Sequence, residues 1–157
     1  MKEYMEAATT CYGALLIRLD NRLGEASRTG LRDRPFVTVS YAQSLDGSIS
    51  NEPGKTLRLS NLQSQTLTHH VRARHDAILV GINTILADDP RLTVRFVDGK
   101  DPVAVIVDTC LRLPVNARIF RELPERPIIV ATAADACAKK EAELLDVGAR
   151  VIRWRNR

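Results

Sequence analysis

Four short apolar runs constrain this chain more than any other feature. They are Asp76 to Gly81 (DAILVG), Pro102 to Asp108 (PVAVIVD), Arg126 to Thr132 (RPIIVAT) and Ala149 to Trp154 (ARVIRW). The first three are continuous rather than alternating, the pattern of strands buried in a parallel sheet, and the fourth, though broken by Arg150 and Arg153, reads as a strand as well. The stretches between them suit crossover connections. Ile82 to Leu86 begins a helical turn directly after the first run, and Asp89-Pro90 ends it. Asp135 can cap a helix running to about Leu145, with Gly148 placed to stop it. Upstream, Ser60 or Asn61 can cap a helix to about Arg74, with Leu62, Thr66, Leu67 and Val71 on one face. Pro35 to Ala42 (PFVTVSYA) reads as a further strand, followed by an Asp46-Gly47 turn and a second turn over 51–55. Strands alternating with helices predict an α/β domain with a largely parallel sheet. Residues 1–33 are polar and Arg-rich, with one apolar burst at 14–17 and glycines at 24 and 30. They read as an N-terminal arm or hairpin lying on a body formed by 34–157.

Composition narrows the function classes. With 157 residues, 45% of them apolar and 27% charged, the chain has globular composition and length for one domain. No apolar run approaches the length of a membrane helix, and the first residues lack the apolar core of a signal peptide, so the expected compartment is the cytoplasm. The net charge of +4 comes from 18 Arg and 5 Lys against 19 acidic residues. These cations are dispersed and aromatics are only 4%, so no stacking platform for nucleic acid is visible. Cys11, Cys110 and Cys137 are odd in number and widely spaced, which fits neither a disulfide framework nor a zinc site. His69, His70 and His75 lack metal-ligand spacing and read as packed or solvated side chains.

In an open parallel sheet, ligands collect outside the carboxyl ends of the strands. Three such ends carry polar residues: 42–47, then Gly81 to Thr84, then Asp108-Thr109. Gly81 lets backbone approach a ligand, and the helix start after it offers free N–H groups to a phosphate. The chain has no G-x-G-x-x-G fingerprint, no phosphate loop of the G-x-x-x-x-G-K-[ST] type and no nucleophile elbow. The sharpest local feature is Leu86 to Arg95 (LADDPRLTVR). Two adjacent carboxylates with two arginines close behind can clamp a polar, phosphorylated molecule. The same string also fits a helix stop with a surface ion-pair cluster.

Three motifs in order carry a resemblance over roughly residues 34–120: PFVT with AQSLDG, then DAILVGINTILADDPRLTVR, then IVDT with LRLP. They resemble the reductase domain of riboflavin biosynthesis, the C-terminal domain of the bacterial bifunctional deaminase-reductase, also found as a stand-alone enzyme. The resemblance implies a three-layer, dihydrofolate-reductase-like fold and a homodimer. It implies reduction of 5-amino-6-(5-phosphoribosylamino)uracil to the ribitylamino compound by hydride transfer from NADPH to the ribose C1′. Carried over by position, Ala42, Arg58, Thr84, Asp88 and Thr109 would contact NADPH. Thr56, Arg72, Leu92 and Arg95 would face the substrate, with Arg72 and Arg95 the groups suited to its phosphate. The resemblance assigns no catalytic acid and no metal.

The chain departs from the family at both ends. Family members continue through a Glu-Gly-Gly-type loop that contacts substrate and cofactor pyrophosphate, and nothing after Val151 matches it. The first 33 residues lack the zinc-deaminase signature. The fold is therefore expected to be truncated at the C-terminus. The alternative function is a catalytically impaired, partial reductase domain that binds nucleotide or completes its sheet with a partner.

Overall fold

A computed structural model of the chain describes residues 12–28, 34–49, 59–122 and 126–154. Helix α1 spans Gly13–Arg28 and α2 Leu62–Ala73. Then follow β1 (Ala77–Gly81), α3 (Ile82–Asp88), β2 (Val103–Val107), a 3₁₀ turn at Arg118–Glu122, β3 (Ile128–Ala133), α4 (Ala138–Asp146) and β4 (Arg150–Trp154). The four apolar runs of the sequence all become strands. They lie in the order β1-β2-β3-β4 and every pair is parallel.

The register sorts side chains by face. Ile78 pairs with Ala104, Val80 with Ile106, Ala104 with Ile128, and Ile106 with Val130. This face is the core: Ala104, Ile106, Ile128 and Val130 are fully buried. Ile82 and Ile85 of α3, Leu144 of α4, and Leu111, Leu113 and Ile119 of the segment after β2 cover it. Burying an aliphatic side chain of this size contributes about 1.5–3 kcal/mol, so this cluster is the main stabilising unit. The opposite face carries Leu79, Val107, Ile152 and Trp154, all exposed among the described residues.

Local chemistry sets the ends of the elements. The Asn61 side chain accepts the Ser64 N–H at 2.9 Å and starts α2. Asp89 ends α3 in the left-handed region at φ 39°, and its N–H donates to the Ile85 carbonyl. Gly148 takes φ 90° after α4, a conformation that favours glycine, as its position in the sequence suggested. Gly47 does the same at φ 82° in the Asp46-Gly47 turn, where the Asp46 carboxylate accepts from Ser44 Oγ, Ser48 N and Ser48 Oγ. The Ser44 hydroxyl is the main reason the Asp46 carboxyl sits below its usual range.

Four expectations need correction. Residues 35–42 are extended but join no sheet among the described residues, and Val37, Val39 and Tyr41 are exposed. β-branched sequence fits a pleated, half-buried surface and creates a strand only when a neighbour supplies the ladder. The contacts of this segment run instead to His75, whose Nε2 lies 2.8 Å from Thr38 Oγ1 and whose ring lies beside Phe36. The arm or hairpin expected within 1–33 contains a helix of 16 residues. Leu16, Leu19 and Leu23 recur at helical spacing, Leu16 is buried, and Asp20 pairs with Arg74 Nε at 2.7 Å. Helix α4 starts after Cys137, not Asp135, with no side-chain cap bond. The apolar stripe expected on α2 is only half-buried: Thr66, Leu67 and Val71 are half-buried, Leu62 is exposed, and the residue that α2 buries fully is His69. The turn expected over 51–55 lies outside the described residues.

Candidate active site

The carboxyl ends of β1 and β2 form a polar rim. Asn83 and Thr84 open α3 just after β1, and Thr109 follows Asp108 at the end of β2. Thr84 and Thr109 are exposed, so their hydroxyls face solvent at this edge. Asn83 Oδ1 accepts from Arg112 at 3.2 Å, which ties the two strand ends together. Asp108 is fully buried and anchors the turn after β2. Its Oδ2 accepts the Leu113 N–H at 2.8 Å, and its backbone N–H donates to the Ala131 carbonyl. The Thr109 carbonyl accepts from Thr132 Oγ1 at 3.1 Å, so the exposed hydroxyl stands on a fixed backbone. A cofactor's sugar and phosphate oxygens need donors of this kind, and a Cβ placed on Gly81 would meet nothing within 4 Å.

A second cluster surrounds the loop after α3. Leu92 is left-handed at φ 59°, a conformation that costs a non-glycine residue about 1–2 kcal/mol and must be held by its surroundings. Arg126, almost wholly buried, donates Nη1 to the Leu92 carbonyl at 3.0 Å and Nη2 to the Arg91 carbonyl. Arg72 of α2 donates Nη1 to the Thr93 carbonyl. Asp101 accepts the Val94 N–H at 2.6 Å, and His69 Nδ1 accepts the Arg95 N–H at 2.9 Å. Arg95 Nη1 then reaches Thr93 Oγ1 at 3.0 Å, with its guanidinium 5.8 Å from the Phe96 ring centroid. Side chains from α2, from Asp101 just before β2 and from Arg126 just before β3 thus fix the backbone from 91 to 95.

This cluster is rich in positive charge. Burial pushes the Arg72 guanidinium down to about 10, and the neighbouring charges of Arg95 and Arg126 push the same way, with Asp101 opposing. Its Nε is buried without a hydrogen-bond partner among the described residues. Burial likewise lowers His69 to about 4, helped by Arg72 and Arg95 and opposed by Asp101. Cations crowded in this way favour an incoming anion, which relieves their mutual repulsion.

The residues named from the sequence fall into distinct places. Arg72 and Arg95 come together around Thr93. Thr84 and Thr109 share the rim, and Asp88 is exposed at the end of α3. Ala42 is exposed in the extended segment before the Ser44–Ser48 turn. The Leu92 side chain is buried in the core, and its carbonyl is held by Arg126. Thr56 and Arg58 lie outside the described residues. Asp89 does not form a clamp with Asp88, because its Oδ1 accepts the Arg118 N–H at 2.8 Å. His69, Arg126 and Asp101 were not legible as site residues, whereas Asp108, marked with Thr109 at a strand end, is buried and supports the turn. The visible hint was the density of charge around 88–101, without any indication of which side chains hold its backbone. Among the described residues no His, Cys, Asp and Glu cluster could hold a metal, and no helix is long and apolar enough to cross a membrane.

A four-stranded parallel sheet with flanking helices, a polar rim at the strands' carboxyl ends and a separate cationic loop define an α/β domain. The family model described as the RibD C-terminal domain matches residues 35–153, and the chain belongs to that family. It is 43% identical over 124 residues to the 2,5-diamino-6-ribosylamino-4(3H)-pyrimidinone 5′-phosphate reductase of Archaeoglobus fulgidus, covering 73% of this chain and 56% of the relative. It is 55% identical over 80 residues to the protein of that name from Debaryomyces hansenii, covering 48% of this chain and 32% of that one. Among solved structures it resembles a diaminohydroxyphosphoribosylaminopyrimidine deaminase/5-amino-6-(5-phosphoribosylamino)uracil reductase from Thermotoga maritima. The TM-score is 0.59 at 27% identity, over 79% of this chain and 40% of that one. The chain spans between about a third and a little over half the length of these relatives.

Proposed function

We propose that this chain is an NADPH-dependent oxidoreductase of riboflavin biosynthesis. It reduces a phosphorylated ribosylamino-pyrimidine to its ribitylamino product, acts in the cytoplasm and works as a homodimer. The observation that carries the reading is the convergence of Arg72, Arg95 and Arg126 on one short loop, residues 91–95. Arg72 and Arg95 would meet the substrate phosphate. Arg126 would keep the loop in place, and Asp101 would balance part of the charge. Thr84, Thr109, Asp88 and Ala42 would line the cofactor, with Arg58 of the same set, and Thr56 and Leu92 would complete the substrate side. NADPH, when bound, supplies the hydride that reduces the ribose C1′. The chain's own part is to hold both molecules in register, since proximity and orientation account for much of such catalysis.

The pyrimidine ring is the open choice within this reading. The uracil implied by the sequence matches the name of the Thermotoga protein, whereas the archaeal and yeast relatives carry a 2,5-diamino ring in theirs. Both compounds therefore belong in the assay. Titrating the purified chain with NADPH and following the cofactor fluorescence tests the cofactor half. Saturable binding that weakens in T84V and T109V supports it, and a folded protein without affinity refutes it.

The exposed Leu79, Ile152 and Trp154 favour a second reading, in which the domain is catalytically impaired and covers its sheet with a partner. A monodisperse monomer that turns substrate over excludes that reading.

A further inference from the structure

Side chains that pin a loop by its backbone are a separate matter from those that meet a ligand. His69 is of the first kind. It is the residue that α2 buries, and the Phe96 ring lies with its centroid 4.5 Å from that of the imidazole. Its Nδ1 accepts the Arg95 N–H, which places the proton of the neutral ring on Nε2. Arg72, three residues on in the same helix, takes the Thr93 carbonyl two residues before Arg95 in the loop. One helix face therefore holds both ends of the Thr93–Arg95 segment, by an acceptor at one end and a donor at the other.

We propose that His69 is a positioning residue that orients Arg95 for a phosphate monoester, holding the Arg95 backbone as a neutral acceptor and sensing the anion's charge. The inference rests on the reading of Arg72 and Arg95 as the phosphate site. The charged groups facing the ring are Arg72 on its own helix and Arg95 and Asp101 on the loop. The two arginines disfavour the imidazolium and Asp101 favours it. A dianion between Arg72 and Arg95 cancels much of the arginine field, so binding must raise the proton affinity of His69. A residue that only fills space would show no such coupling.

The test uses inorganic phosphate and ribose 5-phosphate as probes, with H69N and H69F as variants. Asn places an amide oxygen near the Nδ1 position and keeps an acceptor, whereas Phe keeps the ring and loses it. Phosphate affinity and amide exchange at Arg95 should stay within about twofold of wild type in H69N. In H69F affinity should fall about tenfold and exchange should rise about tenfold, as expected when a part-buried N–H loses its partner. In the wild-type protein, the NMR titration of the His69 ring should move to higher pH at saturating phosphate. That measurement stands even where H69F does not fold. Equal loss in H69N and H69F, or a His69 titration unmoved by bound phosphate, overturns the proposal. Absence of saturable phosphate binding in wild type overturns the phosphate reading itself and with it the sensing role. The Arg95 exchange data separate that failure from a failure of the hydrogen bond.

Discussion

Replacing Arg126 by Met removes the side chain on which the loop depends most. Its guanidinium satisfies two backbone carbonyls, those of Arg91 and Leu92, and Leu92 is left-handed at φ 59°. The side chain is only 2% exposed, so water cannot simply replace it. Leaving the buried Leu92 carbonyl without this donor costs about 1–3 kcal/mol, and losing the part-buried bond to the Arg91 carbonyl adds to it. Part of this is returned, because Met is easily buried and because removing Arg126 relieves its repulsion against Arg72. The net loss should be about 3 kcal/mol, a large share of the 5–15 kcal/mol typical of a domain. At this chain length that lowers Tm by about 6–12 °C. R126K should lose about half as much, since a point ammonium cannot span both carbonyls as the planar fork does. Circular dichroism melts, repeated by urea unfolding, measure both variants. A Tm for R126M within about 2 °C of wild type would show that the loop is held by something other than Arg126.

Three further outcomes follow from the structure. A Cβ on Gly99 would lie 2.6 Å from the Ala73 Cβ, so G99A must push the loop away from α2. It should lose about 1–3 kcal/mol, and an unchanged urea midpoint would contradict that close approach. I106A opens a cavity at the centre of the sheet's buried face and should cost about 2–5 kcal/mol, whereas a loss under 1 kcal/mol would mean the core collapses around it. His69 titrates near 6.5 when unfolded but at about 4 in the fold, so between those values the unfolded state binds more protons. The stability owed to neutral His69 is therefore complete above about pH 6.5 and is lost as pH falls towards 4. Urea midpoints between pH 7 and 4.5 should show a shallower decline in H69N than in wild type, and equal slopes would refute the assignment.

Much of the fold was legible because burial on a parallel sheet writes itself as continuous apolar runs. All four apolar runs became strands, in sequence order. The segment 35–42 has the same composition, but composition cannot show whether a neighbouring strand supplies a ladder. Helix α1 was hidden by Gly24 and Gly30, although Leu16, Leu19 and Leu23 already had helical spacing. At the site, the family resemblance pointed to Arg72 and Arg95, whose guanidinium chemistry suits phosphate. The backbone supports did not show. His69 Nδ1 reaches a residue 26 positions away and Arg126 one 34 away, and no local pattern encodes such pairs. Asp88 and Asp89 fit either a clamp or a helix stop; Asp89 does end α3, and it spends its carboxylate on the Arg118 N–H, a use that only the tertiary fold reveals.

The central claim is tested most directly by the absorbance of NADPH at 340 nm. The purified chain would be mixed with cofactor and, in turn, with the phosphorylated ribosylamino-uracil and the 2,5-diamino-pyrimidinone. The account predicts stoichiometric oxidation with one of the two, dependent on the substrate phosphate and weakened at least tenfold in R95A. A folded chain that binds NADPH yet oxidises it with neither compound would contradict the claim.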